Sequence, residues 1–169
     1  MSDDSSASFE IDTPVVFTTG TTGEPGHRVF YLQAQGDGLV VSLKLEKQQV
    51  GALAEYLSGL LADLPTVDET DVPTLLDLVG PIVPEWTVGT LAVAWDEVSD
   101  RMVLVAEELL TEEEVEAAAT PASARFRLTR AQVAGFVERA RELVAGGRPP
   151  CPLCGGPLDP EGHACPRLN

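Results

Sequence analysis

The C-terminal segment of the chain holds all three of its cysteines and one of its two histidines, between Cys151 and Cys165. Cys151 and Cys154 have the C-x-x-C spacing that lets one tight turn present two sulfurs to one ion, and His163 and Cys165 follow after eight intervening residues. Thiolates and imidazoles are ligands that zinc prefers, and a closed site uses four of them in a tetrahedron. The sequence therefore predicts a structural zinc site held by Cys151, Cys154, His163 and Cys165.

The residues around these four favour such a site. Gly155 and Gly156 permit a positive φ, so that backbone N–H groups can turn toward the sulfurs. Pro152 and Pro157 restrict the unliganded chain and lower the entropy cost of closing the site. The segment 159–162 (Asp-Pro-Glu-Gly) supplies the chain reversal between the two ligand pairs.

Other interpretations of the cysteines fit less well. Three free cysteines in a flexible tail are the plainest alternative. A thioredoxin-like redox motif requires a βαβ unit around C-x-x-C, and none is predicted here. An iron–sulfur cluster usually has a fourth cysteine where His163 stands. Because four protein ligands leave no coordination position for water, we expect the metal to be structural rather than catalytic.

Length and composition predict one ordinary domain with a small appendage. The chain has 169 residues, of which 44% are hydrophobic, which is enough for a core. The acidic start, Met1–Ser6, does not resemble a secretory signal, and no apolar run is long enough to cross a membrane. Cysteines grouped as metal ligands fit a reducing compartment, so we expect a cytoplasmic protein.

The formal net charge of −16 is unevenly distributed. Residues 1–120 contain four basic and 23 acidic residues, whereas residues 121–169 contain seven arginines and four acidic residues. The acidic bulk argues against binding to duplex nucleic acid, which depends on neutralising phosphates. The basic C-terminal part can meet an acidic partner or the acidic part of the same chain.

Hydrophobic alternation and turn residues predict the strands. They are Phe9–Phe17 with an interruption at Pro14, His27–Gln35, Leu39–Leu45, Trp86–Asp96, Arg101–Glu107 and Ala124–Leu128. Gly20–Arg28 is predicted to be a glycine-rich loop between the first two. Leu91, Val93 and Trp95 are expected on the inner face of their strand.

Two helices carry apolar stripes at the helical period. The first runs from Glu46 to Leu64 and ends before Pro65. The second follows a capping box, Thr129 with Gln132, and ends at Gly146-Gly147. The proline-rich acidic connector 65–85 is predicted to contain a short helical turn at Leu75–Val79. The acidic segment 107–119 is either a surface helix or a mobile loop.

The segment Leu43–Ala62 matches Phe126–Ala145 at a constant offset, with six identities in twenty positions and both apolar stripes in register. We therefore predict an α+β fold in which antiparallel strands and two helices form a β-β-β-α pseudo-repeat, followed by a small zinc knuckle. The predicted organisation is a disordered N-terminus at 1–8, a duplicated domain at 9–147 and a zinc-knuckle tail at 148–169.

Four stretches together resemble an actinobacterial family called domain of unknown function 3090. They are Phe17–Ala34, Leu45–Val50, Val88–Asp96 and Gly147–Arg167, and the last is the most specific. The resemblance covers nearly the whole chain from Phe9 and is weakest in the acidic connectors. It implies no activity. The family's genes are similar in setting to ones beside a phosphatidylinositol-kinase-like and a histidine-phosphatase-like protein, which implies a shared pathway.

Three functions are compatible with these patterns. The favoured one is a non-enzymatic adaptor or regulatory protein whose zinc tail docks a protein partner. The alternative is an enzyme or binder of a phosphorylated metabolite, with Gly23, Gly26, His27 and Arg28 holding the anion. A third is nucleic-acid binding through the C-terminal arginines, but the aromatic side chains that usually stack on bases are missing nearby.

Overall fold

The computed structural model describes residues 6–24, 26–146, 151–156, 158 and 162–168. Within them the chain forms an α+β fold of seven strands and three α-helices, which confirms the predicted class. The elements are β1 (Phe9–Ile11), β2 (Val16–Thr22), β3 (Val29–Gly36), β4 (Leu39–Leu45), α1 (Lys47–Ala62), β5 (Val88–Asp96), β6 (Arg101–Glu108), α2 (Glu112–Glu116), β7 (Ser123–Leu128) and α3 (Arg130–Ala145). The short helix α2 lies in the acidic segment, where the sequence left helix and loop open. None of these helices is long and apolar enough to cross a bilayer.

The strands form two sheets. One has the order β2-β3-β4 and is antiparallel, and the other has the order β1-β7-β6-β5, in which only the β1–β7 pair is parallel. The prediction of one interrupted strand over Phe9–Phe17 was wrong, because β1 and β2 belong to different sheets. The chain leaves one sheet and enters the other around Pro14, which cannot donate a ladder hydrogen bond.

Backbone hydrogen bonds join the two sheets between β4 and the residues that precede β5. Lys44 N donates to Trp86 O at 3.1 Å, and Glu85 N donates to Ser42 O at 2.8 Å. Lys44 and Thr87 form a parallel bridge at the same place. The sheets therefore enclose one core, to which both long helices contribute.

The predicted apolar stripes are confirmed as the buried faces of α1 and α3. Both stripes pack into the core, and the fully buried residues of each stripe lie near the middle of its helix. The helices pack against each other, and Arg141 of α3 pairs with Glu55 of α1 at 3.1 Å. On β5, Leu91, Val93 and Trp95 face the core as predicted, although each stays partly exposed.

Residues 76–79 of the connector 65–85 lie across the outer face of the β2-β3-β4 sheet. The prediction of a helical turn at Leu75–Val79 was wrong: the only helical turn described in the connector is a 3₁₀ turn at Glu69–Asp71. The buried Gln33 side chain accepts from Val79 N and donates to Val79 O, each at 2.9 Å. Thr18 Oγ1 donates to Leu76 O. These strand side chains satisfy the connector backbone, which removes the need for helical hydrogen bonds.

Gly20 lies inside β2 and not in a loop, so the predicted start of the glycine-rich loop was wrong. It faces the connector, and a Cβ at Gly20 would clash with the side chain of Leu78. Only a residue without a side chain allows the connector to approach the strand this closely.

Both long helices follow a three-stranded antiparallel meander, and each has sixteen residues. Gln49 Oε1 accepts from the backbone before α1 at 2.8 Å, and Gln132 Oε1 does the same before α3 at 3.0 Å. The amide nitrogen of Gln49 donates to Val88 O at the start of β5, and that of Gln132 donates to Pro14 O just before β2. The start of α1 thus hydrogen-bonds to the meander that precedes α3, and the start of α3 to the residue just before the meander that precedes α1. An origin by duplication stays a prediction.

Residues 6–8 belong to the segment predicted to be disordered, and they lie against the four-stranded sheet. Trp86 Nε1 donates to Ala7 O at 2.9 Å, and Ser123 N donates to Ser8 Oγ at 3.0 Å. Residues 1–5 and 147–150 lie outside the described ranges, so the predicted domain boundaries remain predictions.

We expect Gly20→Ala to lower the free energy of unfolding by about 1–3 kcal/mol, because the new methyl group displaces Leu78 and strains the connector. In a Leu78→Ala background the same substitution should cost much less, since the clashing atoms are gone. Urea denaturation of the four proteins in this cycle measures both values. An equal cost in both backgrounds would contradict the proposed contact.

Candidate metal centre

The four predicted ligands come together in the structure. One sulfur each from Cys151, Cys154 and Cys165 and a ring nitrogen of His163 all lie within 4.8 Å of one another. Within the described ranges, no other group of cysteine, histidine and acidic side chains gathers in this way. These four residues could hold a metal ion.

The ligand atoms are not bonded to one another, and their separations are those expected around a single metal position. The sulfurs of Cys151 and Cys165 are 4.0 Å apart, and Cys154 Sγ lies 3.4 Å from His163 Nε2. All three cysteines are free thiols. Cys151 and Cys165 are buried, whereas Cys154 and His163 are half-buried. The cluster is therefore partly shielded from solvent, although it lies in a short tail.

A tight turn presents the first two sulfurs, as the C-x-x-C spacing predicts. Gly155 N donates to Cys151 O at 2.8 Å, and Cys151 N donates to Gly156 O at 2.7 Å. Gly155 has a φ of +73°, which side chains rarely adopt. Gly156 N points at Cys154 Sγ at 3.4 Å. The N–H of Gly156 thus points toward a sulfur as the sequence indicated, whereas the N–H of Gly155 donates to a carbonyl.

The second ligand pair follows Gly162, which also has a positive φ, of +94°. After Cys165 the chain turns again, and Leu168 N donates to Cys165 O at 3.1 Å. Pro157 and most of the predicted reversal, Asp159–Glu161, lie outside the described residues.

The thiols of the first pair differ in their acidity. Backbone N–H groups of Cys154 and Leu153 lower the pKa of the Cys151 thiol, against the opposing effect of burial. At Cys154 the N–H of Gly156 acts to lower the pKa, but burial and the sulfurs of Cys151 and Cys165 together raise it. Three crowded thiolates repel one another, and a bound cation removes this penalty.

The predicted anion site consists of Gly23, Gly26, His27 and Arg28. Unlike the metal ligands, its two basic side chains have different surroundings: His27 is exposed, and Arg28 binds the end of α3. Gly23 and Gly26 have φ values of +88° and +94° in a tight turn, where His27 N donates to Glu24 O at 2.9 Å. The His27 side chain is exposed. Its role and that of the glycines in binding stay predictions.

Arg28 holds the end of α3. Its terminal nitrogens donate to Leu143 O at 3.3 Å and to Gly146 O at 3.1 Å. A cation at the C-terminus of a helix satisfies orphan carbonyls and stabilises the helix dipole. This structural role was not evident in the sequence, because Arg28 and α3 are more than a hundred residues apart.

A cavity of about 320 Å³ lies beside Arg28 and was missed in the sequence. Gly26 and Arg28 line it together with Lys44, Glu46 and Lys47. The first 120 positions hold only four basic residues, and this scarcity is the one sequence feature that singles them out. The sequence does not show that three of these four residues line one cavity.

Comparison with known proteins gives a family but no described relative. No curated protein and no solved structure matches the chain. A family model described as a protein of unknown function (DUF3090) matches residues 9–165, a span that includes both sheets, both long helices and all four residues of the metal cluster. The chain therefore belongs to the DUF3090 family.

Proposed function

We propose that the protein is a non-enzymatic adaptor whose C-terminal knuckle, Cys151–Leu168, binds structural zinc and docks a protein partner. The observation that carries the proposal is the convergence of three sulfurs and one imidazole nitrogen within 4.8 Å. Zinc–sulfur bonds of about 2.3 Å in a tetrahedron separate two sulfurs by about 3.8 Å, close to the spacing of Cys151 and Cys165. The donor set fits zinc, which accepts three cysteines and one histidine in structural sites.

A structural role follows from the number of ligands. Four protein ligands complete the coordination of zinc, so that no position remains for an activated water. What zinc supplies to this chain is a cross-link between two short segments that have little core of their own. In small domains the free energy of metal binding is the free energy of folding.

Docking is supported by apolar side chains on the knuckle. Leu153 is 48% exposed and Leu168 is 73% exposed, each within three residues of a ligand. Exposed leucines on a rigid, metal-fixed turn are suited to bury themselves against a partner. Because cysteines grouped as metal ligands fit a reducing compartment better than an oxidising one, we propose that the protein is cytoplasmic.

The arginines of the C-terminal half favour a protein partner over nucleic acid. Five of them already pair with carboxylates of the same chain. These pairs are Arg125–Glu10, Arg127–Asp96, Arg130–Asp100, Arg139–Asp77 and Arg141–Glu55. Phosphate contacts would have to replace them, against the repulsion of a strongly acidic surface.

The two histidines provide a matched test of the metal site. Native mass spectrometry of the intact protein should show one bound zinc. His163→Ala should weaken zinc binding by more than about 100-fold, since losing a ligand costs more than losing a group that only orients one. His27→Ala should bind zinc as the wild type does. Equal zinc affinity of both variants and the wild type would refute the assignment.

Zinc affinity should fall on acidification, because protons compete for the thiolates. Thiolates form above their pKa, and the raised pKa of Cys154 makes it the ligand that reprotonates early as the pH falls. Competition against a chelator of known affinity should show at least about a tenfold loss between pH 7 and about pH 6. A pH-independent affinity would indicate that cysteines do not bind the ion.

Docking can be separated from metal binding by surface variants. Leu153→Asp and Leu168→Asp should retain zinc yet lose any partner captured from cells that naturally express the protein. Leu109→Asp is the matched control, because Leu109 is 59% exposed and far in sequence from the knuckle. The Leu109→Asp protein should capture the partner as the wild type does. Partners that stay bound to Cys151→Ser, Leu153→Asp and Leu168→Asp would overturn the docking function while leaving the zinc site intact.

A further inference from the structure

Basic side chains are scarce in the first 120 residues, yet they gather at one place. Only Arg28, Lys44, Lys47 and Arg101 are basic there, against 23 acidic residues. The first three line the cavity of about 320 Å³, although they come from the turn before β3, from β4 and from the start of α1. Glu46 is the one carboxylate in the lining, so positive charge predominates at this cavity.

Two of these cations have no partner that would explain their position. Within the described part of the chain, Lys44 and Lys47 form no ion pair, whereas Arg125, Arg127 and three further arginines each do. Each lysine carries three N–H donors that can donate to a bound anion. Both lysines are exposed, so their ammonium groups can reach an anion that enters the cavity.

Arg28 gives the cavity a fixed wall. Its terminal nitrogens are held by the carbonyls of Leu143 and Gly146, so that its position does not depend on a ligand. The start of α1 adds a second favourable element. Lys47 is the first residue of this sixteen-residue helix, and the N–H groups of a first helical turn have no intrahelical acceptors.

The other residues that line the cavity limit which ligands it can hold. Val29, Phe30 and Leu45 supply apolar surface, and Glu46 supplies one carboxylate. The carboxylate would repel a bare anion but accepts hydrogen bonds from hydroxyl groups. Three cations against one carboxylate leave a charge of about +2, which matches a phosphate monoester near neutral pH. The cavity is of the size that holds a small molecule.

We propose that this cavity binds the phosphate group of a small phosphate monoester, with Lys44 and Lys47 as the principal contacts. The site is separate from the metal knuckle and does not depend on the docking function. Of the four residues predicted from the sequence to bind an anion, Gly26 and Arg28 line this cavity, whereas Gly23 and His27 are not among its lining residues. No chemical step is implied.

The test is a titration of the zinc-loaded, full-length protein followed by backbone amide NMR shifts. The probes are inorganic phosphate and glycerol 3-phosphate, with sodium chloride at matched ionic strength as the blank. We expect saturable shifts at Gly26, Lys47 and Gln48. Tighter binding of glycerol 3-phosphate identifies an ester as the ligand class, whereas binding of inorganic phosphate alone would overturn the monoester assignment.

Lys44→Gln and Lys47→Gln should each weaken binding about tenfold, because each removes a charge-assisted contact. Arg101→Gln is the matched control: it removes the one basic residue of this region that does not line the cavity, and it should leave affinity unchanged. Both lysines are exposed, so the variants should fold, and their amide spectra verify it. Absence of saturable shifts, or equal losses in all three variants, would refute the proposal.

Discussion

Phe17 brings the two halves of the molecule into contact. Its ring centroid lies 5.7 Å from that of Phe126 and 5.0 Å from that of Phe136, which join β2 of one sheet to β7 of the other and to α3. Aromatic pairs at this separation add to the free energy of area burial. The backbone bonds between β4 and the residues before β5 keep the sheets edge to edge while these rings fill the space between them. The two elements that these rings join also carry later contacts: β2 binds the connector through Thr18, and the end of α3 binds Arg28.

The helices could be predicted because their signals are local. Apolar residues at the helical period and the capping residues Thr129 and Gln132 mark α3, which begins and ends where these signals place it. Strand partners could not be predicted in the same way. Whether β1 pairs with β7 or with β2 is decided by residues more than a hundred positions apart, and the short sequence before Pro14 is compatible with either.

The connector shows how tertiary contacts override a local pattern. Residues 75–79 have the composition of a helical turn, but Gln33 of β3 takes both hydrogen bonds of the Val79 backbone, its N–H and its C=O. The metal cluster is the opposite case, because its ligands are close in sequence and spacing alone indicates their geometry. The basic cavity belongs with the connector: its three cations come from separate elements, and only the folded chain brings them together.

The contact between Arg28 and the end of α3 also limits the distance between Arg28 and the knuckle. Gly146 is held at its carbonyl, and five peptide units separate it from Cys151, so these two Cα atoms can be at most about 18 Å apart. Under the proposed docking function, a partner bound to the knuckle would thus be tethered within a short radius of Arg28, which forms one wall of the cavity. At that range the two proposed ligands would have a high mutual effective concentration, without any contact between their two sites.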